Sequence, residues 1–134
     1  MNVKEVIKDD KVLARLVRSA DWNEGLGFYS HDEEVIQVGT WHYNKGKELL
    51  KHMHNEVERT ILRTNEVLYV VSGKVKAFIY DLQENFVEEL EVNNGDTLIL
   101  LDCGHGYEIL EDDTRVLEIK NGPYLGAETD RRRF

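Results

Sequence analysis

Apolar positions in this chain recur mostly at two-residue intervals, within short runs rich in β-branched and aromatic residues. "KVLARLVR" (11–18) alternates loosely, and "EVIQVGTWHY" (34–43) sets Val35, Gln37, Gly39 and Trp41 against Ile36, Val38, Thr40 and His42. "EVLYVVSGKVKAFIYD" holds strand material on both sides of Ser72-Gly73, and "NFVEELEV" follows the polar turn Gln83-Glu84-Asn85. "DTLILL" comes after Asn93-Asn94-Gly95, "HGYEIL" after Cys103-Gly104 and "RVLEIK" after Asp112-Asp113-Thr114. A period of two, broken by turn residues, belongs to strands, and roughly eight such runs predict an all-β sandwich or barrel. One helical turn is expected around "SADWNEGL", with Ser19 or Asp21 as its cap. No repeat, linker or low-complexity tract divides the chain, so residues 1–134 read as one domain.

Composition narrows the partners. At 134 residues the chain can bury a sizeable core. A net charge of −9 opposes nucleic acid, because phosphates would be repelled unless a basic patch intervened. The one dense basic run is Arg131-Arg132-Arg133, a solvated tail or else an anion-binding element. No apolar run approaches the roughly 20 residues that cross a bilayer, so no membrane span is expected. "MNVKEVIKDDKVLARLVR" has charges throughout and lacks the apolar stretch of a secretory signal. A single cysteine, Cys103, cannot close an internal disulfide, which points to a reducing compartment and the cytoplasm.

The candidate chemistry lies in "GKELLKHMHNEVERTILRTNEVLYVVSG", Gly46 to Gly73. On a strand, His52 and His54 project to one face, and two neutral imidazoles so placed can ligate a transition metal. Alone, the pair reads more readily as two surface histidines on a polar strand. With its surroundings it resembles the cupin family, whose first motif is G(X)5HXH(X)3–4E(X)6G and whose second is G(X)5PXG(X)2H(X)3N. Gly46, His52, His54, Glu66 and Gly73 fill the first motif (46–73), and Gly95 and His105 fill part of the second (95–110). The resemblance implies a single-domain cupin, a double-stranded β-helix or jelly-roll barrel. It also implies a metal site of His52, His54, Glu66 and His105, and a homodimer.

The departures have a geometry of their own. Eleven residues separate His54 from Glu66, where the family pattern has three or four. Taken as a hairpin centred on Thr60, the segment sets His54 opposite Glu66 and His52 opposite Leu68, and an even-numbered extension leaves every side chain on its face. Glu58 is the rival carboxylate at the family spacing, but position 65, where its closing glycine would stand, is Asn. In the second motif Leu101 replaces the proline, Ile109 replaces the closing asparagine, and His105 comes one residue early. A deletion within the turn Asp102-Cys103-Gly104 would leave His105, Tyr107 and Ile109 facing inward together.

Three imidazoles and a carboxylate suit one divalent ion of Fe, Mn, Ni, Co or Zn, and the ligands do not choose among them. The pocket wall is expected to include Tyr107, with Gln37 and Trp41 if "EVIQVGTWHY" lines the interior. One reading is a metal-dependent enzyme that isomerises or epimerises a small polar, sugar-derived metabolite, or an oxygen-dependent variant with iron(II). Glu56, Glu58 or Tyr107 would then be the base. A second reading is a non-catalytic module that senses such a ligand, and a third is a structural metal in a barrel devoted to association. Cys103 lies on the turn beside His105, while His31 and His42 fit no motif and are expected at the surface. Residues 121–134 form a C-terminal arm that could cross to a second subunit or cover a barrel edge.

Overall fold

The computed structural model describes residues 3–134, and over these the chain is all-β. Its strands are β1 (Val3–Lys8), β2 (Lys11–Val17), β3 (Gly25–Phe28), β4 (Gly39–His42) and β5 (Glu66–Ser72). They continue with β6 (Lys74–Tyr80), β7 (Phe86–Asn93), β8 (Thr97–Leu100), β9 (Gly104–Ile109) and β10 (Arg115–Lys120). The helical content is a 3-10 turn at Ser19–Asp21 and one α-turn, α1 (Ala127–Asp130). All pairings are antiparallel, in a five-stranded sheet of order β1-β2-β8-β5-β10, a three-stranded sheet β7-β6-β9 and a β3-β4 ribbon. The sheets do not close on one another.

Two apolar layers account for the long hydrophobic runs. Leu16, Leu68, Leu98 and Leu100 join Val75, Ala77, Ile79, Leu90 and Val92 in one cluster, which unites the two larger sheets. Val17, Val67, Ile99 and Leu101 turn to the opposite face and pack with Tyr29 and Ile36. Successive residues of β5 and β8, and Leu16 and Val17 of β2, therefore enter different cores, which is why "DTLILL" is continuously apolar rather than alternating. Each fully buried Leu, Ile or Val contributes about 1.5–3 kcal/mol.

Arg15 is the large charged exception, 2% exposed on β2. Its guanidinium donates to Glu5 Oε2 at 2.8 Å, to Glu34 Oε1 and Oε2 at 2.6 and 2.8 Å, and to the Tyr29 carbonyl at 3.1 Å. It thereby fastens the loop 29–34 to the sheet. Burial and neighbours oppose one another here: the Glu34 carboxylate outweighs desolvation and raises the Arg15 pKa, while Arg15 and the His31 amide outweigh the desolvation of Glu34 and lower its pKa.

Asp81 closes the β6–β7 turn. It accepts from Lys8 Nζ at 2.7 Å, from the Gln83 and Asn85 amides at 3.0 and 2.8 Å, and from Asn85 Nδ2 at 3.1 Å. The Lys8 ammonium and the Asn85 donors hold its pKa down at about 2. Because this folded-state value lies below the unfolded one, its stabilisation is complete above about pH 4 and is lost as pH falls through about 2. Urea midpoints followed from pH 7 to pH 2 should therefore fall more steeply for the native chain than for Asp81→Asn.

Several expectations change on contact with the fold. β1 was hidden by its charges, Lys4, Glu5 and Lys8, which suit a sheet edge. The helical turn at Ser19–Asp21 exists, but its N-cap is Arg18 without a side-chain bond, and Gly25 already begins β3. Neither Ser19 nor Asp21 caps it, because both lie inside the turn. Of "EVIQVGTWHY" only Gly39–His42 is strand. The hairpin expected about Thr60 does not form within the chain: residues 43–65 contain no strand, and every residue from Trp41 to Arg63 is exposed.

Candidate functional site

Glu66 opens β5 on the inward face shared with Leu68 and Val70, in register with Leu100 on one side and Lys120 on the other. His105 and Tyr107 lie on β9 opposite Ile79 and Ala77, both core residues, so their side chains also point between the sheets. The two strands belong to different sheets, and their inward residues meet at the open end of the sandwich. There Tyr107 donates its hydroxyl to Glu66 Oε1 at 2.8 Å, and His105 Nε2 lies 3.2 Å from the same oxygen. The His105 and Tyr107 rings are 5.4 Å apart. Among the described residues, His105 Nδ1 is buried without a hydrogen-bond partner. A buried imidazole nitrogen left unpaired costs free energy, and Trp22 Nε1 is the other buried side-chain atom in that position.

The electrostatics assign roles. Glu66 is only 7% exposed, and burial pushes its pKa up, but His105, Tyr107 and Lys120 outweigh that and hold it below the usual carboxylate range. It is an anion at neutral pH and a weak base. Burial and the Glu66 charge push the Tyr107 phenol far above its ordinary value. Tyr107 is thus a hydrogen-bond donor, which corrects its candidacy as the base. Cys103 is driven up to about 12 by burial and by Glu66 and Asp102, so its thiol stays protonated and unreactive. It packs against the core beside the cavity.

These residues line a cavity of about 800 Å³. No protein-family model, curated protein or solved structure matches the chain.

Of the four expected metal ligands, the chain brings two together, Glu66 and His105. His52 and His54 lie on the exposed segment, their rings 5.2 Å apart edge to face, and His52 Nδ1 is 3.1 Å from the Leu50 carbonyl. Neither lines the Glu66 cavity, and the described residues hold no cluster of three or more His, Cys, Asp or Glu fit for a metal. Within one chain the donor set is half of what the family pattern requires. Glu56 and Glu58 share the exposed segment with the two histidines.

The expected wall is also redistributed. Tyr107 is in it, whereas Gln37 and Trp41 are exposed and away from it. The inward face of that segment is the opposite one, Ile36 and Thr40. Gln37 instead donates to the carbonyls of His31 and Glu34 at 2.9 and 2.8 Å, holding a loop. His31 and His42 are at the surface as expected.

Two contributors escaped sequence reasoning. Glu118 and Lys120 of β10 border the cavity, and their parity with Val116 was the available signal. The C-terminal arm folds back on its own chain. Thr64 bonds to Asp130, Arg132 pairs with Glu84 at 2.7 Å, and the Phe134 ring stacks edge-on against Tyr80 at 5.1 Å. Arg131, Arg132 and Arg133 consequently lie along the cavity rather than in a free tail.

Proposed function

We propose that this chain is a metal-binding cupin, its two sheets the halves of an open jelly roll, whose cavity accepts a small polar, sugar-derived metabolite. The observation that carries the reading is the convergence of Glu66, His105 and Tyr107 at one oxygen inside that cavity, beside an unpaired His105 nitrogen. Glu66 and His105 would hold the divalent ion, with His52 and His54 as the remaining donors if they reach it. Bound there, the ion would polarise a carbonyl or hydroxyl oxygen of the ligand. The chain's own groups do the rest. Tyr107 supplies a phenol proton donor to a substrate oxygen, and Arg131 and Arg133 face anionic substituents across the cavity. Isomerisation or epimerisation is the reaction class that this polarity suits, and Glu56 or Glu58, carried on the segment with His52 and His54, remains the candidate base.

A second reading, a binding module without turnover, is favoured by the placement of Glu56 and Glu58, which are exposed and outside the cavity where a base would be needed. Elemental analysis of protein purified without added metal tests the metal. The expected result is about one equivalent of a first-row metal per chain and sharp loss in His52→Ala and Glu66→Ala. Native protein devoid of metal would overturn the reading, whereas loss in Glu58→Ala but not Glu66→Ala would transfer the carboxylate role to Glu58. Deuterium uptake from D2O into sugar-phosphate and nucleotide-sugar ligands separates the two readings. Exchange means catalysis, and ligand-induced thermal stabilisation without exchange means sensing.

A further inference from the structure

We propose that residues 43–63 are an exchanged arm, which enters the open end of a second copy of this chain and presents His52 and His54 to that copy's Glu66 and His105. The assignment of the imidazoles as ligands rests on the metal reading above; the exchange of the arm does not.

The arm cannot be at rest where one chain leaves it. Leu50, Met53 and Leu62 are 89%, 88% and 93% exposed, in a stretch that also displays Val57 and Ile61. Apolar side chains so concentrated on an extended segment mark an association surface. The segment reads as strand, with His52 and His54 sharing a parity, yet it pairs with no strand among the described residues. Extended, the twenty residues 44–63 span up to about 65 Å, ample to reach a neighbouring molecule.

The receiving place is equally incomplete. β9 and β10 are the free edges of their sheets, and they flank the cavity from opposite sides. All six residues of β10 are exposed, as are Tyr107 and Ile109 on the inward face of β9. An inward-facing apolar pair left open at an unpaired edge is a vacancy for strands, and free edges are templates for pairing. Both partners carry mixed charge: the cavity has Glu66 and Glu118 with Lys120 and Arg131–Arg133, and the arm has Lys47, Lys51 and Arg59 with Glu48, Glu56 and Glu58. The occupant fits the vacancy in length and in its alternating pattern. It also supplies the donors that the Glu66–His105 pair lacks.

A second copy is the occupant rather than a foreign partner, because the same chain owns both halves of the deficit. Each copy has an arm without a site and a site without an arm, so one two-fold exchange satisfies both. Folding the arm back onto its own edge is the competing arrangement, and the experiment separates the two.

In a Cys103→Ser background, one chain carries His52→Cys and another, with a distinguishable tag, carries His105→Cys. Co-expressed and oxidised, they should give a disulfide-linked heterodimer on non-reducing gels. A chain carrying both substitutions should give linked dimers rather than a faster-migrating monomer closed on itself. An intrachain link, or no link, overturns the exchange. Metal completion is read separately with Co2+ and elemental analysis. A His52→Ala/His54→Ala chain and a Glu66→Ala/His105→Ala chain should each bind little alone. Their purified heterodimer should recover about half of the native metal content, since one of its two sites is then whole. No recovery with a native chain that binds Co2+ overturns completion in trans. Native protein that forms the cross-link but takes up no Co2+ keeps the exchange and overturns the metal reading.

Discussion

Arg15→Met is expected to lower the unfolding free energy by about 3–5 kcal/mol, read from urea titrations at pH 7. The substituted side chain fills much of the volume, so lost packing is not the main term. What remains is the Glu34 carboxylate, which is only 14% exposed and has lost both of its guanidinium bonds. The Tyr29 carbonyl and Glu5 lose donors as well. Removing one partner of a buried ion pair costs the desolvation of the other, which is why the loss should exceed that at an exposed pair such as Lys4–Glu88. The sign can be checked by a second substitution. Arg15→Met/Glu34→Gln should recover part of the loss, since a neutral amide is cheaper to bury than an unpaired carboxylate. A loss below about 1 kcal/mol in Arg15→Met would mean that the pair does not anchor the loop 29–34.

Gly73→Ala is expected to cost about 2–5 kcal/mol, combining a left-handed backbone with overpacking. Gly73 joins β5 to β6 at φ 84°, where a side chain is already strained. An added Cβ would stand 2.2 Å from Thr114 Oγ1 and 2.7 Å from Thr114 Cα, so the backbone of the β9–β10 loop must retreat. That retreat removes the bonds from the Lys74 amide to Thr114 Oγ1 and from Ser72 Oγ to the Asp113 carbonyl. Gly95→Ala is the control. Its φ is also 84°, but its Cβ would meet only the Ser19 side chain, Oγ at 2.9 Å and Cβ at 3.3 Å, and the hydroxyl can rotate away, so mainly the backbone term of about 1–2 kcal/mol is expected. Thermal unfolding of the two variants side by side measures the difference. Equal losses would show that Thr114 yields without strain.

Much of this architecture was legible in the residue pattern. β2 and β5 to β10 follow from short apolar runs set between turn residues; β6 alternates because one face is buried, β8 is apolar throughout because both are, and β10 keeps the pattern although this chain leaves it exposed. The meeting of Glu66 with His105 was legible from motif spacing, and the inward parity of His105, Tyr107 and Ile109 from alternation beyond the turn. What was not legible depended on partners. The segment 43–65 has the composition of a hairpin, but pairing is a long-range property, and nothing local says whether the complementary edge lies in the same chain. Gln37 and Trp41 share one face of "EVIQVGTWHY", and parity alone could not say whether that face or the one with Ile36 and Thr40 is the inner. Tyr107 could be ranked as base or donor only after its burial beside an anion was known.

The central strand β8 carries one last implication. Its four residues are hydrogen-bonded to β2 on one side and β5 on the other, and adjacent members feed separate interiors, Leu98 and Leu100 one, Ile99 the other. Neighbouring codons in a stretch of four therefore give independent control over two compartments. A change at Ile99 loosens the packing beneath Tyr29 and Ile36, and a change at Leu100 loosens the floor next to Glu66, with the same backbone serving as the reference for both.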